Sequence, residues 1–246
     1  MIRVIRTKNY EELSDRAFEI VRELLKTKPD AVLGLATGST PLGLYERMVQ
    51  DHRENGTSYR EVETFNLDEY VGLPEEHPES YHSFMDRNLF SQLDIKKENT
   101  HVPSGHGDLQ QNCQQYNDML AEKQIDLQIL GIGSNGHIGF NEPGTSFDSQ
   151  THVVRLKQST IEDNARFFDH DVNKVPTEAI TMGISNVMAA SRILLLASGA
   201  GKANAIQATV MGRISETVPA SVLQTHDDVI IIVDAEAAGS LYKEKR

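Results

Sequence analysis

Three polar segments each follow an apolar run, and each carries side chains able to do chemistry. The first is Thr37-Gly38-Ser39-Thr40-Pro41, behind Leu33-Gly34-Leu35-Ala36. Small hydroxyl residues and a glycine ahead of a helix start expose free N–H groups and hydroxyls, which suits a phosphate. The plainer alternative is an N-cap by Ser39 or Thr40. The second is Asn66-Leu67-Asp68-Glu69-Tyr70, where either carboxylate is a candidate general base or a helix cap. The third runs from Leu130 to Pro143 and sets four glycines, Gly131, Gly133, Gly136 and Gly139, around His137, with Glu142 close behind. Its Gly131-x-Gly133-x-x-Gly136 core matches a dinucleotide fingerprint by letter. That fingerprint needs a helix directly after it and an acidic residue at the next strand end. Gly139, Asn141 and Pro143 oppose the helix, so the dinucleotide reading is rejected. What remains is a glycine-rich loop that lets a ligand approach backbone beside one His and one Glu.

Two cations stand out: Lys202 could neutralise a phosphate, whereas Arg166 reads most plainly as a surface Arg with a packed stem. Lys202 follows Gly199-Ala200-Gly201 at a helix start, and Arg166 precedes the aromatic pair Phe167-Phe168. The Lys202 segment is not a P-loop: the first required glycine position is Leu196, and no Ser or Thr follows the lysine. The pairs His77/His82 and His101/His106 do not share a helical face, and no Cys or carboxylate pattern completes a metal site, so no metal is expected. The single cysteine, Cys113, lies in a polar run and reads as an inert thiol.

The elements that must position these groups follow from hydropathy. Apolar runs at Arg3–Arg6, Ala31–Ala36, Glu63–Leu67, Asp126–Ile132, Val153–Leu156, Arg192–Ala197 and Val229–Val233 predict strands, several of them apolar on both parities. Helical patterns fall between them, at Tyr10–Lys26, Pro41–Glu54, Tyr81–Phe90, Leu109–Lys123, Ile161–Phe168, Lys202–Met211 and Ala235–Tyr242. In Tyr10–Lys26 the stripe is Leu13, Ala17, Ile20, Val21, Leu24 and Leu25. The alternation predicts an α/β fold: a mostly parallel, Rossmann-like sheet with helices on both faces, in one domain over residues 1–246. Ligands bind such sheets at the carboxyl ends of the strands, where the three polar segments fall.

Composition excludes other classes. The net charge of −12 and the lack of a basic stripe argue against a nucleic-acid partner. Lys243, Lys245 and Arg246 read as a solvated helix tip. No apolar run approaches the ~20 residues that span a membrane. No signal peptide is seen after Met1, and one cysteine allows no disulfide within the chain, so a cytoplasmic location is expected.

Together, LATGSTPLGLY (35–45), FNLDEYVGLPEEHPESYHSFM (65–85), LGIGSNGHIGFNEPG (130–144) and ARFF with VPTEAITMGI (165–184) resemble the glucosamine-6-phosphate deaminase family. That family converts glucosamine 6-phosphate and water to fructose 6-phosphate and ammonia in amino sugar catabolism. The resemblance implies Asp68 as the base moving a proton between C2 and C1. It implies His137 as the acid/base of ring opening and Glu142 as the carboxylate orienting it. Thr37, Gly38, Ser39, Thr40, Arg166 and Lys202 would hold the phosphate, and Gly136 would lie against the sugar. No organic cofactor is implied. Asn135 stands where many members carry Asp, so the orientation of His137 should differ. Allosteric members carry a cationic pair where this chain has His152 and Val154, and a longer tail. No activation by N-acetylglucosamine 6-phosphate is therefore expected, and a monomer or small homo-oligomer is. Leu73–Phe90, rich in His, Glu and Pro, is the candidate lid. A 6-phosphogluconolactonase and a non-catalytic sugar-phosphate sensor are the competing functions.

Overall fold

The computed structural model describes residues 1–239 and 241. Among them, ten strands and eight α-helices follow one another as β1 (Ile2–Arg6), α1 (Tyr10–Thr27), β2 (Val32–Leu35), α2 (Leu42–Asn55), β3 (Glu63–Asn66), β4 (Asp68–Tyr70), α3 (Tyr81–Asn88), β5 (Thr100–His101), α4 (Leu109–Ala121), β6 (Leu127–Leu130), β7 (His152–Arg155), α5 (Gln158–Asn164), β8 (Glu178–Thr181), α6 (Ile184–Met188), β9 (Ile193–Ala197), α7 (Ala203–Met211), β10 (Val229–Val233) and α8 (Ala235–Ala238). The Tyr242 end of the last expected helix, with Lys243, Lys245 and Arg246, lies outside the described residues.

Seven strands form a parallel sheet in the order β1-β10-β9-β6-β2-β3-β5. Its central strands are apolar on both parities because each parity feeds a separate core. Val229, Ile231 and Val233 of β10 pack in one layer with Ala205 and Ile206 of α7 and with α4, α6 and α8. Ile230 and Ile232 pack in the other with α1, α2 and α3. Asn9 starts α1 by accepting from the Glu12 N–H, and Leu13, Ala17, Val21 and Leu25 recur four apart as its buried stripe. Leu13→Ala would cost about 2–5 kcal/mol, the range for an enclosed leucine.

The strand order reverses between β2 and β6. At that switch point the C-terminal loops of neighbouring strands diverge and leave a crevice. The loop after β2 is Ala36–Pro41 and the loop after β6 begins at Gly131, two of the three segments singled out above.

A second sheet, antiparallel β4-β8-β7, closes one side of the crevice and differs from expectation. The Val153–Leu156 run was expected in the main sheet; it forms β7 here because its partner is β8. β4, β5 and β8 have no counterpart among the expected strands. The junction is Leu67. Its N–H donates to Leu35 O in the main sheet (3.0 Å), and its carbonyl accepts from Met182 N (2.7 Å), next to β8. The chain thus changes sheets one residue before Asp68. The expected helix Ile161–Phe168 begins earlier, at Gln158, and its end winds into a 3-10 turn over Ala165–Phe167. Pro41 caps α2 and is not its first turn. No helix among the described residues is long and apolar enough to cross a membrane.

Candidate active site

One cleft at the switch point is lined by residues from all the segments singled out in the sequence. Thr37, Gly38, Ser39 and Thr40 come from the β2 loop, Asp68 from β4, His137 from the β6 loop, Arg166 from the 3-10 turn after α5, and Lys202 from the start of α7. Asn135 and Glu142 stand behind His137. Gly136 is placed differently. Its φ of 85° needs glycine, but an added Cβ there would meet Val218, so it faces the 3-10 segment Pro219–Thr225 and not the cleft. Gly131, Gly133 and Gly139 line the cleft instead.

The β2 loop is held from outside. Tyr10 Oη donates to Ser39 O (3.0 Å) and Thr40 O (3.1 Å) and accepts from Gly43 N (2.8 Å). Tyr45 Oη donates to Ala36 O (2.6 Å). The loop and the start of α2 are therefore fixed before any ligand arrives. That leaves the helix end and its hydroxyls to an anion.

The two adjacent carboxylates separate cleanly. Glu69 is structural. It accepts from Tyr70 N (2.8 Å), Tyr81 N (3.0 Å) and His82 N (3.0 Å) and pairs with His82 Nδ1 (2.7 Å), which anchors the start of α3. Asp68 is buried, with 6% exposure, and its carboxylate accepts no hydrogen bond from the described residues. Burial, with the neighbouring Glu69 charge, pushes its pKa from 3.8 up to about 8.

The glycine loop explains its glycines. Gly133 N donates to His137 O (2.9 Å). A Cβ on Gly133 would fall 2.3 Å from His137 Cε1, so only glycine lets the imidazole lie over that backbone. Asn141, wholly buried, donates from Nδ2 to Ile138 O (2.9 Å) and Met182 O (2.8 Å), tying the loop to β8. The next element is β7, not a helix, so the dinucleotide arrangement is absent.

His137 Nδ1 is buried without a formed hydrogen bond and lies 3.6 Å from Glu142 Oε2. Asn135 does not form the carboxylate–His pair of its aspartate relatives. It donates from Nδ2 to Glu142 Oε2 (2.9 Å) and accepts the His137 N–H (3.1 Å). The carboxylate beside the ring is therefore Glu142. Thr160 donates a short hydrogen bond to its Oε1. Burial acts to raise the pKa of Glu142, but contact with His137, the Thr160 hydroxyl and the Asn135 amide outweigh it and hold it at about 2.

At the other end, Arg166 stacks on Phe167, 4.7 Å from the ring centre. The pKa of Lys202 is lowered, chiefly by burial; Asp163 acts to raise it and Arg166 to lower it. Two neighbouring cations beside the start of α2 make a site that an anion stabilises. Asp234, at the end of β10, shapes this corner. It accepts from Ser198 Oγ (2.6 Å), Gly199 N (3.0 Å) and Ala237 N (2.7 Å), fixing the turn that leads to Lys202. Thr160, Asp163, Asn164 and Tyr81 also line the cleft and were not singled out in the sequence.

Each of the four paired histidines has its own partner: His77 accepts from Glu79 N, His82 meets Glu69, His101 meets Glu63 and His106 meets Leu73 O. Among the described residues, no three His, Cys, Asp or Glu side chains gather as a metal would need. The Cys113 thiol is half-buried on α4, and burial raises its pKa, away from the reactive thiolate.

A parallel sheet with a cleft at its switch point, lined by a buried carboxylate, an imidazole and two cations, fits one class of enzyme. The chain belongs to the glucosamine-6-phosphate isomerase/6-phosphogluconolactonase family, whose model matches residues 6–232. It is 51% identical to the glucosamine-6-phosphate deaminase of Thermoanaerobacter sp. (strain X514), over 99% of this chain and 96% of that one. It is also 51% identical to the deaminase of Geobacillus sp. (strain WCH70), over 100% and 98%. Its fold matches a solved monomeric glucosamine-6-phosphate deaminase with a TM-score of 0.94 and 46% identity, over 96% of this chain and 98% of that one.

Proposed function

We propose that this chain is a glucosamine-6-phosphate deaminase. The observation that carries the reading is one cleft holding a buried carboxylate with no hydrogen bond from the described residues (Asp68), an imidazole with a carboxylate at its back (His137 and Glu142), and a cationic anion site (Arg166, Lys202 and the start of α2).

The chemistry follows from those groups. Glucosamine 6-phosphate is mostly a closed ring. His137 takes the proton from O1 and returns one to O5 as the ring opens. Asp68 removes the proton on C2, and the enolamine so formed is reprotonated on C1. The resulting ketimine at C2 adds water and releases ammonia, leaving fructose 6-phosphate. Asp68 meets the substrate with its proton affinity already raised, which strengthens it as a base once ionised. The positive charge on the substrate's amine favours that ionised form. Glu142 holds His137 and faces the amino group. Thr37, Gly38, Ser39, Thr40, Arg166 and Lys202 fix the phosphate, which places C2 against Asp68. No metal or organic cofactor takes part. The enzyme acts in the cytoplasm as a monomer or small homo-oligomer.

The test is ammonia release from purified protein and glucosamine 6-phosphate, with fructose 6-phosphate measured in parallel and no metal added. Equal amounts of the two products are expected. No product from folded protein overturns the reading, and 6-phosphogluconolactone is then the next substrate.

A further inference from the structure

Glu142 has three rotatable side-chain bonds and almost no solvent, so its direction is set by its hydrogen bonds. Its two oxygens are not equivalent. Asn135 Nδ2 and His137 Nδ1 both address Oε2, at 2.9 and 3.6 Å. Oε1 accepts from Thr160 alone among the described residues. Glu142 and Thr160 are each only 4% exposed, so no bulk water replaces a lost donor.

We propose that Thr160 is a positioning residue for the reaction: its hydroxyl fixes Oε1 of Glu142 so that Oε2 stays against Nδ1 of His137. The proposal rests on the function given above, in which His137 moves the ring-opening proton. A carboxylate held at Nδ1 keeps the neutral imidazole protonated there. Nε2, which has no protein partner among the described residues, then carries the lone pair that can accept a proton. Without the Thr160 hydroxyl, Oε1 is a buried acceptor with no donor. The carboxylate must turn to find another donor or take up a proton. Turning takes Oε2 away from Nδ1, and protonation removes its charge; either releases the tautomer. Thr160 also lies on α5, the helix whose end leads into the turn bearing Arg166. One short segment therefore carries both the hold on Glu142 and a ligand for the phosphate.

The experiment compares wild type with Thr160→Val, Thr160→Ala and Thr160→Ser. The first readout is ammonia release. Thr160→Val and Thr160→Ala should lose about 10- to 100-fold in kcat, the rate equivalent of leaving a buried acceptor without its donor. KM should stay within about twofold, the signature of a residue that acts through Glu142 and not on the bound substrate. Thr160→Ser restores the hydroxyl and should recover most of kcat. The second readout is the 15N spectrum of His137 in ligand-free protein at alkaline pH. Wild type and Thr160→Ser should show the Nδ1–H tautomer, and Thr160→Val and Thr160→Ala a mixture. An unchanged kcat and tautomer overturn the proposal. So does a raised KM at constant kcat, which would make Thr160 a substrate contact, or a folded Thr160→Ser as impaired as Thr160→Val. The alanine variant covers the case in which valine does not fold. If wild type releases no ammonia, the deaminase reading fails by itself, and the spectra still decide what Thr160 does.

Discussion

Asp68→Asn should abolish turnover and yet make the protein more stable at alkaline pH. The folded protein holds the Asp68 proton far more tightly than the unfolded chain, with a pKa of about 8 against an ordinary 3.8. The sign follows directly. The stability that this group contributes is fully present below pH 3.8 and is lost as the pH rises through 8. An interval of about four pH units, at 1.36 kcal/mol each, makes that loss on the order of 5 kcal/mol by pH 8. Asparagine never ionises, so it escapes the loss, but its buried amide costs about 1–3 kcal/mol at every pH. The variant should therefore be less stable than wild type by about 1–3 kcal/mol near pH 4 and more stable by about 2–4 kcal/mol near pH 8. In a chain of this size each kcal/mol moves Tm by about 2–4 °C, so the Tm difference should swing from about −5 to about +10 °C. Thermal melts of both proteins at half-unit steps from pH 4.5 to 8.5 measure it. A Tm difference that stays constant across the range would refute the reasoning, because it would mean that Asp68 ionises in the fold as it does in water. Retained turnover in the variant would separately remove Asp68 as the base.

Four further outcomes are expected. Glu142→Gln should lower kcat by at least about tenfold with little change in KM, since it removes charge beside His137 but no phosphate contact; steady-state ammonia assays decide. Gly133→Ala should leave the melt nearly unchanged but cut activity, because its Cβ would displace the His137 ring; a fully active variant would show that the ring does not need its present seat. Asp234→Ala should lower Tm by a few degrees, from about 1–2 kcal/mol of lost capping, and raise KM by loosening the turn before Lys202. Rate against substrate should be hyperbolic and unmoved by N-acetylglucosamine 6-phosphate, with His152 and Val154 in place of a cationic pair; a sigmoid shifted leftward by that sugar would contradict it.

The main sheet was legible because its central strands are buried on both faces. Val229–Val233 and Arg192–Ala197 are apolar at every core position, and nothing polar competes with that signal. The small sheet was not legible. β4 is three residues, two of them carboxylates, and its burial comes from β8, whose partners Ala179, Ile180 and Thr181 lie far along the chain, rather than from its own hydropathy. For β7, a short apolar run indicated a strand but could not name its partner. The cleft residues were accessible wherever they followed an apolar strand directly. Asp234 meets that rule too, directly after Val233, but a lone aspartate there reads as a plain helix cap. Thr160 gave no signal at all: within Gln158-Ser159-Thr160 nothing distinguishes the one hydroxyl that reaches a carboxylate eighteen residues away in sequence. The inward turn of Gly136 depends on Val218, a contact that local sequence does not encode.

Leu67 gives its N–H to one sheet and its carbonyl to the other, so two independently paired surfaces share a single residue. None of β4, β7 and β8 lies within the seven-stranded sheet, and Tyr70 and Ala179 of the small sheet pack in a separate apolar cluster with Phe140 and Phe168. Asp68 belongs only to the smaller sheet, whereas Thr37–Thr40, His137 and Lys202 follow strands of the larger one. Catalytic competence is therefore expected to be lost before foldedness. A partial opening along that seam would carry away the base and, with the segment between β7 and β8, Arg166 as well, leaving Thr37–Thr40 and Lys202 as a weakened anion site that cannot convert what it binds. On heating, activity should disappear before the far-ultraviolet signal of the larger sheet, and amide exchange at Glu69 and Ile180 should outrun that at Leu194 and Ile231 in the central strands.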